Sequence, residues 1–161
     1  MRKHTRRVVR PRVDPITAAI RQASLLTIDE WNTQVIPVQV ALDQILAGNW
    51  DKLSVWDNLF MAANRIESML KLRHMPDHGF LKQANLTFRA ALAREEQTGA
   101  KALKHDEIAV LREVVSVYGD LLKEVTHRQF TDACRHTDAN VIRLRKSKDV
   151  TNVAHCLLDE K

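Results

Sequence analysis

Glycine and proline are scarce in this chain, four of each in 161 residues, and aromatics amount to one Tyr, three Trp and four Phe. An all-β fold needs turn residues and β-branched or aromatic runs, so there is little material for one. Two cysteines, Cys134 and Cys156, are too few for a disulfide framework and stand in no C-x-x-C pair. No apolar run approaches the roughly eighteen residues of a membrane-spanning helix, so no membrane partner is expected. The basic start runs into Pro11 and Asp14 instead of an apolar segment. No signal peptide is therefore expected, and the expected location is a reducing cytoplasm. There is no Gly-rich phosphate loop and no G-x-S-x-G, and no catalytic residue, metal ligand or cofactor is assigned.

What the chain has is helical periodicity and unevenly placed charge. A hydrophobic content of 45% over this length fits one globular domain with a core of its own. The net charge is +5. Residues 1–13 hold Arg2, Lys3, Arg6, Arg7, Arg10 and Arg12 and no acid, or +6. Residues 14–134 carry thirteen basic and sixteen acidic side chains, or −3. In 135–148, Arg135, Arg143, Arg145, Lys146 and Lys148 stand against Asp138, giving +4, and the last thirteen residues come to −2. A basic arm ahead of a mildly acidic body is a common way to hold phosphates, although short basic termini also serve as solubilising tails.

The arm has no apolar period and reads as extended or disordered. Asp14-Pro15 reads as N-cap and first residue of a helix through about Ser24, with Ile16, Ala19, Ile20 and Ala23 on its apolar face. Thr27 with Glu30 matches a capping box and opens a second helix. Trp31, Val35, Val38, Leu42 and Ile45 share its stripe, and Pro37 predicts a kink or a break. Gly48 is its expected left-handed end. A third helix, about Lys52 to Arg73, buries Trp56, Leu59, Phe60, Ala63, Ile66 and Leu70. Trp31, Trp50 and Trp56 are predicted to form one aromatic cluster. After a loop at His74–Gly79, a fourth helix covers Phe80 to Gln97 and ends at Gly99.

The longest periodic stretch, His105 to Lys146, is the one around which the chain looks organised. Its apolar residues run from Ile108 to Leu144 in steps of three and four. Unbroken, it would span roughly 60 Å. Thr126-His127-Arg128-Gln129, however, is a second capping box, flanked by Val125 and Phe130 at the staple positions. The preferred reading is two helices, His105–Val125 and His127–Lys146. A helix running the full length could project past its domain and pair with a copy of itself, which makes a homodimer a candidate assembly. Residues 148–161 read as a loosely ordered tail.

Several residue groups could carry chemistry. His74 and His78 have the four-residue spacing of a helical metal pair, but Pro76 and Gly79 argue against a helix there. His105-Asp106 could be the centre of a metal phosphohydrolase, yet it sits where a solvated helix start favours acids. Asp132 and His136 could pair on a surface, and Cys134 with His136 would act as a nucleophile only if they met in space. The basic run Arg143, Arg145, Lys146 and Lys148 is the stronger candidate. It suits phosphate binding, and it also suits the dipole of a helix C-terminus.

Val125-Thr126-His127-Arg128-Gln129-Phe130, followed by Ala133, Thr137 and Ile142, resembles short uncharacterised proteins of proteobacterial phages and plasmids. These also begin with a basic arm like Arg6-Arg7-Val8-Val9-Arg10-Pro11. The resemblance covers the arm and the last third of the chain. It implies a mobile-element origin and an accessory or host-directed role, and it brings no catalytic residues.

The expectation is thus an all-α protein: a basic arm at 1–13, one bundle of five to seven helices at 14–147, and a tail. Its expected role is non-enzymatic, binding nucleic acid through Arg2, Lys3, Arg6, Arg7, Arg10, Arg12, Arg143, Arg145, Lys146 and Lys148. The alternative is a protein–protein adaptor or an inhibitor of a host protein, and behind it stands a small metal-dependent hydrolase.

Overall fold

The computed structural model describes residues 14–50 and 53–146. Six helices follow one another: α1 Pro15–Ala23, α2 Ile28–Leu46, α3 Leu53–Leu72, α4 Phe80–Thr98, α5 His105–Glu124 and α6 His127–Lys146. Among the described residues there is no β-strand, only one isolated antiparallel bridge between Leu25 and Thr126. The chain is an all-α bundle, and none of its described helices is long and apolar enough to cross a membrane.

Local chemistry accounts for the helix boundaries. Asp14 Oδ2 accepts from the Thr17 amide at 3.1 Å, with Pro15 in the first helical position. At α2 both halves of the capping box form: Glu30 N–H donates to Thr27 Oγ1 and Thr27 N–H to Glu30 Oε2, at 3.3 and 2.9 Å. Pro37 does not break α2 in two. Pro37 and Thr33, whose carbonyl it cannot serve, both lie on the exposed side, where water can substitute. Gly48 (φ +80°) closes α2, with Gly48 N–H donating to Ile45 O and Asn49 N–H to Gln44 O.

The same closure ends α3, but on a histidine. His74 has φ +52°, with bonds from His74 N–H to Lys71 O and from Met75 N–H to Leu70 O. A side chain in the left-handed region costs on the order of 1 kcal/mol, which glycine avoids. His74→Gly should therefore raise stability by roughly 0.5–1 kcal/mol, read as a higher urea midpoint at unchanged slope.

The centre of the bundle is α3, not the 105–146 stretch. It packs against α2, α5 and α6, while α5 also holds α2 and α4. Leu59, Ala62, Ala63, Ile66 and Met69 of α3 are buried, and so are Asn64, Glu67 and Ser68 beside them. A helix covered on several sides shows no single apolar stripe, so periodicity understates its burial. The long stretch divides at Val125–Thr126, where Thr126 N–H donates to Gln129 Oε1 and Gln129 N–H to Thr126 Oγ1. A continuous 60 Å helix is therefore absent, and with it the projecting element on which self-pairing was expected.

The tryptophans do not form one cluster. Trp50 and Trp56 stack edge to face with centroids 5.1 Å apart, and Phe60 and Phe88 complete the group. Trp31 sits elsewhere, donating from Nε1 to the Gly119 carbonyl at 2.7 Å. A Cβ on Gly119 would lie 3.3 Å from the Trp31 ring, so this glycine lets α2 and α5 approach closely.

Candidate nucleic-acid interface

Two chain reversals meet at one corner of the bundle. Leu25, between α1 and α2, bridges to Thr126, between α5 and α6, and His127 N–H donates to Ser24 O at 3.0 Å. From this corner α1 packs back along α6. Ala18 of α1 is partly covered there, and Arg21 and Gln22 line a cleft with the first turns of α6.

Glu30 ties the corner together. Its carboxylate takes part in the Thr27 capping box, lies 3.1 Å from His127 Nε2 and 3.4 Å from Arg21 Nη2. The hydrogen bonds from Thr27, and next the charge of His127, hold the Glu30 carboxyl below its ordinary range. A depressed carboxyl stabilises the fold above its unfolded value, about 4.3, and loses that contribution as pH falls through the folded value. The protection factors of α1 amides, measured against intrinsic exchange at each pH, should therefore fall on acidification, and Glu30→Gln should show the lower protection already at neutral pH. Equal α1 protection in the variant and the parent at neutral pH would show that the carboxylate does not hold α1.

α6 is attached by an unusually polar seam. Only Ala133 and Thr137 of its described side chains are fully buried. Thr137 Oγ1 meets Ser68 Oγ at 2.8 Å and the Asn64 carbonyl at 3.3 Å. Deeper in, Arg65 Nη1 donates to Gln34 Oε1 and Tyr118 Oη at 3.0 and 3.2 Å, and its guanidinium lies 5.9 Å from the Phe130 ring centre. Burial pushes the Tyr118 hydroxyl and the Cys134 thiol up from their ordinary values, and Arg65 opposes this in both.

With its inner face engaged in this way, α6 presents Arg128, Arg135 and Arg143 to solvent. Arg128 and Arg135 are seven residues apart and exposed on the side opposite Ala133 and Thr137; Arg143, eight further, is exposed about a quarter turn round the helix from them. From Arg128 to Arg143 this row runs roughly 22 Å. A cleft of about 550 Å³ lies between α1 and α6, lined by Arg21, His127, Thr131, Asp132 and the first two arginines of the row. Asp132 braces both of those, 3.8 Å from Arg128 Nε and 3.4 Å from Arg135 Nη1. It pairs with arginines and not, as its spacing had suggested, with His136.

Arg145 and Lys146 belong to the last turn of α6. Arg2, Lys3, Arg6, Arg7, Arg10, Arg12 and Lys148, also expected to bind phosphates, lie outside the described residues. Arg21 joins the site although sequence reasoning passed over it, since no local pattern links it to a helix more than a hundred residues away.

The other candidates are dispersed. His74 and His78 both take left-handed backbone conformations in the exposed α3–α4 connection. His105 and Asp106 are exposed at the start of α5. Among the described residues no three His, Cys, Asp or Glu side chains group so as to hold a metal ion. One hydroxyl–imidazole contact exists, Ser68 Oγ to His136 Nδ1 at 3.1 Å. Ser68 is 3% exposed, and the space beside it admits no water-sized molecule, so a substrate has no route to that hydroxyl.

No protein-family model, curated protein or solved structure matches the chain.

Proposed function

We propose that this protein binds the phosphate backbone of nucleic acid, with the N-terminal arm and the outward face of α6 as one basic surface. The observation carrying this reading is the packing of α1 back along α6. It joins α6, with its exposed arginines, to the helix that directly follows the six cations of residues 1–13. α6 itself bears Arg128, Arg135, Arg143, Arg145 and Lys146 against Asp132 and Asp138, or +3. Such a surface neutralises phosphates and reads no bases, so binding is tolerant of sequence. An accessory role in a mobile element belongs to the same proposal and rests on the resemblance of the arm and the last third. The test is fluorescence anisotropy with a labelled duplex. Charge reversal of Arg135 and Arg143 together should make the slope of log affinity against log salt shallower by about 2. An unchanged slope would remove α6 from the interface.

A second reading, a protein–protein adaptor, has one observation in its favour. α2 carries Asp29, Glu30 and Asp43 and no basic residue. Its outer side exposes Ile36, Pro37 and Val40 over a groove of about 320 Å³ shared with α3. A duplex-binding defect in R135E/R143E with no effect of Val40→Asp would favour the nucleic-acid reading over this one.

A further inference from the structure

The cleft between α1 and α6 is shut at one end. Where it meets the corner, Ser24 and Leu25 are joined to Thr126 and His127 by the isolated bridge and by the bond from His127 N–H to Ser24 O. α6 runs away from this corner, so its exposed arginines, followed back from Arg143 through Arg135, stop at Arg128 against the crossing chain. A strand laid along them would have no way on past the corner.

The shut end draws cations from both walls, Arg21 from α1 and Arg128 and Arg135 from α6. Their side chains are 74%, 75% and 76% exposed, so all three can reach a ligand. Each is also held at one edge. Glu30 lies at Nη2 of Arg21, and Asp132 lies at Nε of Arg128 and at Nη1 of Arg135. A guanidinium has five N–H donors, so each arginine keeps others to offer. Side chains already held in place lose less freedom when a ligand binds.

Charge and shape limit what fits. Three arginines against Asp132 and Glu30 leave +1, or +2 when His127, 3.1 Å from Glu30, is protonated. That suits one phosphate group, not a run of them. An internal phosphodiester has two free oxygens, whereas a terminal phosphate monoester has three and carries about −1.5 to −2 at neutral pH. Three free oxygens match three guanidinium groups converging from two walls. The cleft of about 550 Å³ is also of the size that takes a small ligand, so a terminal nucleotide has room. We propose that this cleft takes the terminal phosphate monoester of a nucleic-acid strand whose backbone lies along α6, which makes the protein an end binder. The proposal rests on the reading of α6 as a phosphate-binding surface and adds to it a preferred place on the nucleic acid.

The probe is a hairpin duplex labelled in its loop, whose one open end carries either hydroxyls or phosphates at both termini. The full-length protein should bind the phosphorylated hairpin about tenfold more tightly, the worth of one charge-assisted hydrogen bond. R21Q/R128Q should abolish this preference. It retains Arg135, Arg143, Arg145 and Lys146, so it should still bind the hydroxyl-ended hairpin, with its helical circular dichroism intact. Equimolar adenosine monophosphate should leave the hairpin bound, because it cannot also reach Arg143. Displacement by it would assign the cleft to a free nucleotide and overturn the strand-end proposal. Equal affinity for the two hairpins, or a preference that survives R21Q/R128Q, would overturn it while leaving backbone binding by α6 in place. Failure of both hairpins to bind at low salt would overturn the backbone reading itself, and this proposal with it.

Discussion

Phe88→Ala should lower the stability of the fold by about 3–5 kcal/mol, the largest effect expected of any single truncation in α4. Phe88 is fully buried, 4.7 Å from Phe60 and 6.3 Å from Trp56 between ring centres. Its neighbours on α4 cannot close the gap. Ala84 and Ala91, one turn either side, have only a methyl group and cannot extend into it, and buried Asn85 already leaves both amide atoms without a partner. The cavity would therefore persist, and a persisting cavity adds to the lost transfer energy. In a chain of this length the change corresponds to a fall of roughly 10 °C in the melting midpoint. Phe88→Leu, which keeps most of the volume, should cost only about 1 kcal/mol. Scanning calorimetry of both variants checks the pair, and equal midpoints for Phe88→Ala and the parent would mean that α4 is not held through this ring.

The second large effect concerns salt. If all six arm cations reach phosphates, the arm alone contributes a slope of log affinity against log salt of at most about −5. Between 50 and 200 mM salt this amounts to a loss of up to about a thousandfold in affinity. Deleting Met1 to Val13 should remove that share and leave a slope of at most about −5, the share of Arg128, Arg135, Arg143, Arg145, Lys146 and Lys148. The truncated protein should stay folded, because among the described residues the buried hydrophobic core runs from Val35 to Ala133. Titrations at four salt concentrations, with circular dichroism alongside, decide this. An unchanged slope after truncation would reduce the arm to a solubilising tail.

The parts of this molecule that were legible in its sequence are those fixed by local hydrogen bonding. Thr27 with Glu30, Thr126 with Gln129, and Gly48 each placed a boundary, because a cap and its partner lie within a few residues of each other. What depends on contacts distant in the chain was not legible. Trp31 is close to Trp50 and Trp56 in sequence, yet its indole N–H donates to Gly119, 88 residues away. α1 has a regular apolar face, and periodicity alone marks such a face as buried, whereas here it points outward. Periodicity also favoured the 105–146 stretch over α3, whose buried Asn64 and Ser68 interrupt its apolar pattern because they serve the seam to α6.

The candidate site divides along the same line. Arg143 and its neighbours stand out as a run of cations, and Arg128 and Arg135 acquire meaning only once Ala133 and Thr137 fix which side of α6 faces inward. The corner formed by Arg21, Glu30 and His127 joins three elements by side chains that carry no shared motif. Its geometry also explains how a mildly acidic body can present a basic side: α2 and α5 together carry eight of the acids, and Arg128, Arg135 and Arg143 of α6 are exposed.

The central claim is that phosphates are held along α6 and the arm, and amide shift mapping tests it most directly. An ¹⁵N-labelled full-length sample titrated with a short duplex at low salt should show shifts at Arg128, Arg135 and Arg143 and at the arm amides. Residues 36–44 of α2 should stay still, and raising the salt should reverse the changes. Shifts concentrated on α2 with a silent α6, or no shift anywhere at low salt, would contradict the account.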